Sequence, residues 1–87
     1  MQTQAYNMMG DAYGELQKID EALNYYKKAA DYTDNAAISI YSKYKAARLL
    51  EVQGNKDEAR KYYQAIMDED AQLAESMGVD KDLVRLQ

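Results

Sequence analysis

No cysteine and no histidine occur in these 87 residues. Disulfides and the usual zinc ligand sets are thereby excluded, and the redox compartment is left open. Phenylalanine and tryptophan are absent too, so the nine tyrosines are the only aromatic filler. A buried tyrosine must place its hydroxyl at an edge or find it a partner. No apolar run approaches the length that spans a bilayer, so no membrane insertion is expected. The opening residues, Met1 to Ala5, do not read as a signal peptide. A soluble chain is expected, cytoplasmic or, if a targeting segment has been removed, of a bacterial envelope. A net charge of −4 argues against nucleic acid, whose binding needs a basic face. The charge is uneven: residues 1–36 carry 3 basic and 6 acidic groups, residues 37–70 carry 6 of each.

What is present is a repeat. Asp20-Glu21-Ala22 with Tyr25-Tyr26 returns, shifted by 37, as Asp57-Glu58-Ala59 with Tyr62-Tyr63. Ahead of the first copy, Tyr6, Met9, Gly10 and Tyr13 recur at i, i+3, i+4 and i+7, which is one face of a helix. Ile19, Ala22, Leu23, Tyr26 and Ala29 make the facing stripe on the next helix. Gly10 costs ~1 kcal/mol of helix propensity relative to alanine. Its return is close approach of a neighbouring helix, and Ala47 is its counterpart. Internal repetition at such a period points to a helical array.

The expected helices run from about Thr3, as N-cap, to Leu16, from Asp20 to the polar break at Tyr32–Asn35, from Ala36 to Val52, and from Lys56 to Met67. Ser39, Ser42 and Lys43 suggest a solvated face on the third. Gly54 supplies the left-handed residue that closes it. Beyond Asp70 the repeat pattern is lost. Leu73 and Met77, a break at Gly78, and a last turn capped by Asp80 are expected to cover the end of the array. A disordered end from Val79 onward is the competing expectation.

These residues resemble the tetratricopeptide repeat. Tyr6, Met9, Gly10, Tyr13, Ala22, Tyr26 and Ala29 stand at that family's spacing in the first copy. Ala46, Ala47, Leu50, Gly54, Ala59, Tyr63 and Ile66 do so in the second. The sequence departs from the family at Lys43, where a large aromatic is usual, at Asp34, often proline, and at Gln17, often a turn glycine. The spacing of 37 also exceeds the family's usual 34, which stretches the join. The resemblance implies one all-α domain over residues 1–87. Antiparallel helix hairpins at about 3–36 and 37–70 would stack in a right-handed superhelical sense, with a cap at about 71–87.

Catalysis has little support. Ser39, Ser42, Ser76 and the tyrosines lack a neighbouring motif that would supply a base or an oxyanion hole. Neighbouring carboxylates at Asp68-Glu69-Asp70 point in different directions on a helix, and no calcium-loop spacing is present. No catalytic, cofactor-binding or metal-binding residue is expected. Overlaying the two first helices matches Asn7 with Tyr44, Met8 with Lys45, and Asp11 with Arg48, all pointing away from the packing stripe. In the family that face lines a groove for peptide segments, so the resemblance implies Asn7, Met8, Asp11, Tyr44, Lys45 and Arg48 as groove residues. Asp11 would repel a peptide's carboxylate, so a carboxylate clamp is not expected. Asp11 and Arg48 are expected to pair across the groove floor. The leading expectation is a non-catalytic protein- or peptide-binding module, whole or part of a longer array. Its rival is a self-associating unit, a weak homodimer stacked through a bare flank at Tyr6, Tyr13 and Tyr25.

Overall fold

The computed structural model describes residues 2–87, with side chains from Gln4 onward. Its elements are α1 (Gln2–Glu15), α2 (Ile19–Asp31), α3 (Ala36–Val52), α4 (Lys56–Glu69), α5 (Ala71–Met77) and α6 (Val79–Arg85). Each helix packs on the next from α1 to α4, and α4 then receives both α5 and α6. The result is an all-α, tetratricopeptide-like stack of antiparallel hairpins, 30 × 29 × 16 Å across. The side chain of Thr3, the expected N-cap of α1, lies outside the described residues.

Alanines let the helices approach. Ala22 and Ala46 meet around Tyr26, while Ala47, Ala59 and Ala74 join Leu23, Ile40, Leu50, Tyr63, Ile66, Val79 and Leu86 in the larger core. Gly10 does what its position predicts. A Cβ built there would lie 2.6 Å from the Tyr26 ring, so only a bare α-carbon lets that ring seat against α1. The same hairpin closes at Gln17, whose φ of 60° falls in the left-handed region that favours glycine. Polar side chains start two helices: Asn35 accepts from the Ile38 amide at 3.1 Å and Asp70 from the Leu73 amide at 3.0 Å.

Three expectations need correction, and the competing one for the tail fails. Ser39 and Ser42 are buried, not solvated, because α3 packs on α2 and partners reach both hydroxyls. Ser42 is hydrogen-bonded to Asn7 at 2.9 Å, and Ser39 donates to the Ala30 carbonyl at 3.5 Å. Met9, placed on the packing stripe, is 40 % exposed. Asp80 does not cap the last helix. It lies in the first turn of α6, and the junction is made by Gly78 at a φ of 82°. The tail is helical and packed, with Ala74, Val79 and Leu86 in the core, rather than a disordered end.

Candidate protein-binding surface

One stripe of α1, at positions 4, 7, 8 and 11, faces the first half of α3 across an open hollow of about 340 Å³. Gln4, Asn7, Met8 and Asp11 line one side, and Ala37, Ile38 and Tyr41 the other. Met8 is 71 % and Tyr41 45 % exposed, so the walls offer apolar surface to a ligand. Asn7 is buried and bonded to Ser42, so it forms floor and fixes α1 against α3 instead of pointing outward.

Asp11 stands between this hollow and a neighbouring one of about 430 Å³, lined by Asp11, Gly14, Glu15, Tyr26, Lys45 and Leu49. Its carboxylate accepts from the Tyr26 hydroxyl and pairs with the Lys45 ammonium at 3.4 Å. Lys45 also lies 5.5 Å from the centre of the Tyr41 ring. Partial burial works against the Lys45 charge, but Asp11 and then Tyr41 outweigh it and hold the ammonium above its ordinary value. Burial, reinforced by the bond to Asp11, pushes the Tyr26 phenol well up. Below the Tyr41 wall, Lys45, Asp11 and Tyr26 form a row in which the Asp11 carboxylate and the Lys45 ammonium offset each other, with Glu15 at the edge of the neighbouring hollow.

The other two expected groove residues belong to a different assembly. Arg48 stacks 4.9 Å over the Tyr44 ring and donates to its hydroxyl. That bond is the main reason its guanidinium is held above its ordinary value. Arg48 also approaches Asp82 of α6 at 3.7 Å. Arg85 bridges Asp82 at 2.7 Å and Glu51 at 2.7 Å, and Glu51 accepts from the Tyr63 hydroxyl at 2.6 Å. Tyr44 and Arg48 thus help latch the C-terminal helix onto α3. The expected pairing of Asp11 with Arg48 gives way to Asp11 with Lys45.

The reason is the offset. The overlay sets residue i against residue i + 37, but the contacts across the hollow join Asn7 to Ser42, 35 apart, and Asp11 to Lys45, 34 apart (45 − 11). Two to three residues is most of a helical turn, enough to turn a different face toward α1. Gln4, Ala37, Ile38 and Tyr41 were missed because the overlay began at Asn7: one turn earlier, the shift of 37 already matches Gln4 with Tyr41 (41 − 4). The family's own 34-residue period sets Gln4 against Ile38 and Asn7 against Tyr41, and was the signal for the facing pairs.

Residues 3–35, the span of α1 and α2, match the family model of the tetratricopeptide repeat. No curated protein matches the chain. The first hairpin is a tetratricopeptide repeat, a unit that supports a general role in protein interaction.

Proposed function

We propose that this chain, whose first hairpin matches the tetratricopeptide repeat, holds a peptide segment of a partner protein in the hollow between α1 and α3. The observation that carries the reading is an open hollow whose apolar walls, Met8 and Tyr41, stand over a charge-neutralised floor. An apolar side chain of the ligand would fill the space between Met8, Ile38 and Tyr41. Asp11 and Lys45 would take its polar groups, and Asn7 would hold the two walls at their spacing. Tyr44 and Arg48 act at the far end, where α6 limits how far a segment extends along α3.

The reading is of a non-catalytic module. Ser42 and Ser39 are buried with bonded hydroxyls, and Ser76 donates to the Gln72 carbonyl at 3.2 Å. The carboxylate run is occupied by structural contacts, since Asp68 accepts from Gln64, Glu69 pairs with Lys43, and Asp70 caps α5. Among the described residues no three His, Cys, Asp or Glu side chains converge as a metal site. No helix there is long and apolar enough to cross a membrane.

Selection of peptides from a random library on the folded chain tests the proposal. Selected peptides should lose about tenfold or more in affinity on Met8→Glu or Tyr41→Ala, the penalty typical of a central anchor. Peptides that bind both variants as well as the parent would place the binding surface elsewhere.

A further inference from the structure

The first hairpin carries a second surface, and the molecule itself contains a template for what covers it. A shift of 37 maps Tyr6 onto Lys43, Met9 onto Ala46, Tyr13 onto Leu50, Tyr25 onto Tyr62 and Lys28 onto Ala65. In the second hairpin Ala46, Leu50 and Tyr62 pack in clusters with α2 residues, while Lys43 pairs with Glu69 of α4. Ala46 is fully buried in a cluster with Ala22 and Tyr26, Leu50 is buried, and Tyr62 packs on the same cluster. Asp31, at the end of α2, lies near Tyr62; burial first, then this carboxylate, pushes the phenol up. In the first hairpin the counterparts of buried Ala46 and Leu50, Met9 and Tyr13, are less covered. Met9 is 40 % exposed, and Tyr6, Tyr13 and Tyr25 are half-buried: Tyr13 packs on the cluster of Ala22, Tyr26 and Ala46, Tyr25 meets the Tyr6 and Tyr13 rings, and Tyr6 also lies 6.1 Å from Tyr32. The Tyr13 and Tyr25 rings stack at 5.5 Å, and the Lys28 ammonium lies 5.3 Å from Tyr25 and 5.8 Å from Tyr6.

We propose that this face docks an amphipathic α-helix of another protein, one that presents small side chains to the tyrosines and a carboxylate to Lys28. Ala22 against Ala46 is how α2 meets the second hairpin, and a carboxylate answers the Lys28 ammonium held over Tyr25 and Tyr6. The surface is distinct from the hollow, and the inference does not rest on the peptide-binding reading. A second copy fits poorly. The corresponding face of its α2 is already covered by α3. Two first hairpins set face to face would also oppose Lys28 to Lys28, and a net −3 to a net −3 (3 basic, 6 acidic in residues 1–36).

The probe is a helix-stapled peptide with the sequence of residues 19–32, titrated into the intact chain and followed by backbone amide shifts. Saturable binding is expected, with shifts gathered on Tyr6, Met9, Tyr13, Tyr25 and Lys28. Lys28→Glu in the protein should weaken it about fivefold or more, the upper end for one partly exposed charge pair. A peptide carrying Asp31→Lys should restore binding to that variant. Tyr25→Ala, checked for an intact fold by its melt, should abolish binding without touching the charge. Three results would overturn the proposal: no saturation at millimolar peptide, shifts confined to α3 and α4, or shifts at these tyrosines on concentrating the chain alone. The last would give the face to a second copy.

Discussion

In the first hairpin the buried Tyr26 donates its hydroxyl to Asp11; in the second, the equivalent Tyr63 donates to Glu51. The two carboxylates are not equivalent. Asp11 corresponds to Arg48, and Glu51 to Gly14, under the 37-residue shift. A buried phenol needs an acceptor, but the helix beneath it can supply one from either of two positions almost a turn apart. That freedom separates the roles of the two hairpins. Asp11 anchors its tyrosine from the edge of the hollow and neutralises Lys45 there. Glu51 anchors its tyrosine from the other side and ties in Arg85, while Arg48 reaches Asp82. The same packing solution serves the proposed ligand surface in one repeat and a C-terminal latch in the other.

The sharpest test of the comparison is the residue under each ring. Gly10 admits Tyr26 where the second hairpin has Ala47, fully buried, beneath a ring that is also fully buried. Gly10→Leu should overpack the first contact and destabilise by ~1–3 kcal/mol in a urea melt. Gly10→Ala should gain helix propensity yet still clash with the ring, since the added Cβ would meet three of its atoms within 2.9 Å. Shortening Tyr26 to leucine in the same chain should remove that clash, so the pair should be non-additive. Additive effects would show that the two hairpins seat their tyrosines alike.

The carboxylates give the next test. The bond from Arg85 holds Glu51 below the ordinary carboxylate range; burial opposes this, and the Tyr63 hydroxyl adds to it. A folded-state value below the unfolded one means stability that is fully present above the unfolded value and is lost as pH falls through the folded one. Glu51→Ala should cost ~1–2 kcal/mol at neutral pH, chiefly because the Tyr63 hydroxyl loses its acceptor. The gap to the parent should narrow on acidification below about pH 4.5, measured as melting temperature against pH. A gap that stays constant to pH 3 would remove Glu51 from the latch.

Much of this was legible because it is local. The Ala36–Val52 helix, the inward Tyr26 and Tyr63, and the tight contact at Gly10 follow from periodicity and residue size alone. What was not legible depends on partners far along the chain. Ser42 reads as a solvated helix residue until Asn7, 35 residues earlier, is brought against it. Arg48 reads as a groove residue until α6 delivers Asp82. Repeats also mislead by their own regularity. The sequence shift of 37 aligns like with like, but the helices that touch are offset by 34–35.

The smallest expected effect concerns the two turns, which share one hydrogen-bonding scheme. The Lys18 amide donates to the Tyr13 carbonyl at 2.9 Å and Gln17 to Gly14 at 3.0 Å; Asn55 donates to Leu50 at 2.8 Å and Gly54 to Glu51 at 2.9 Å. This is the paired six-to-one and five-to-two closure of a helix C-terminus, and it requires a left-handed residue at its centre. The second hairpin puts Gly54 there at a φ of 82°, the first puts Gln17 at 60°. That conformation costs a side-chain-bearing residue ~1–2 kcal/mol, while glycine loses ~0.5–1 kcal/mol more chain entropy on folding. The balance favours glycine. Gln17→Gly should stabilise by up to ~1 kcal/mol and Gly54→Gln should destabilise by a similar amount, read from paired urea melts. If both substitutions shift the midpoint in the same direction, the two turns are not the same device, and the strain at Gln17 is relieved by something the shared hydrogen bonds do not account for.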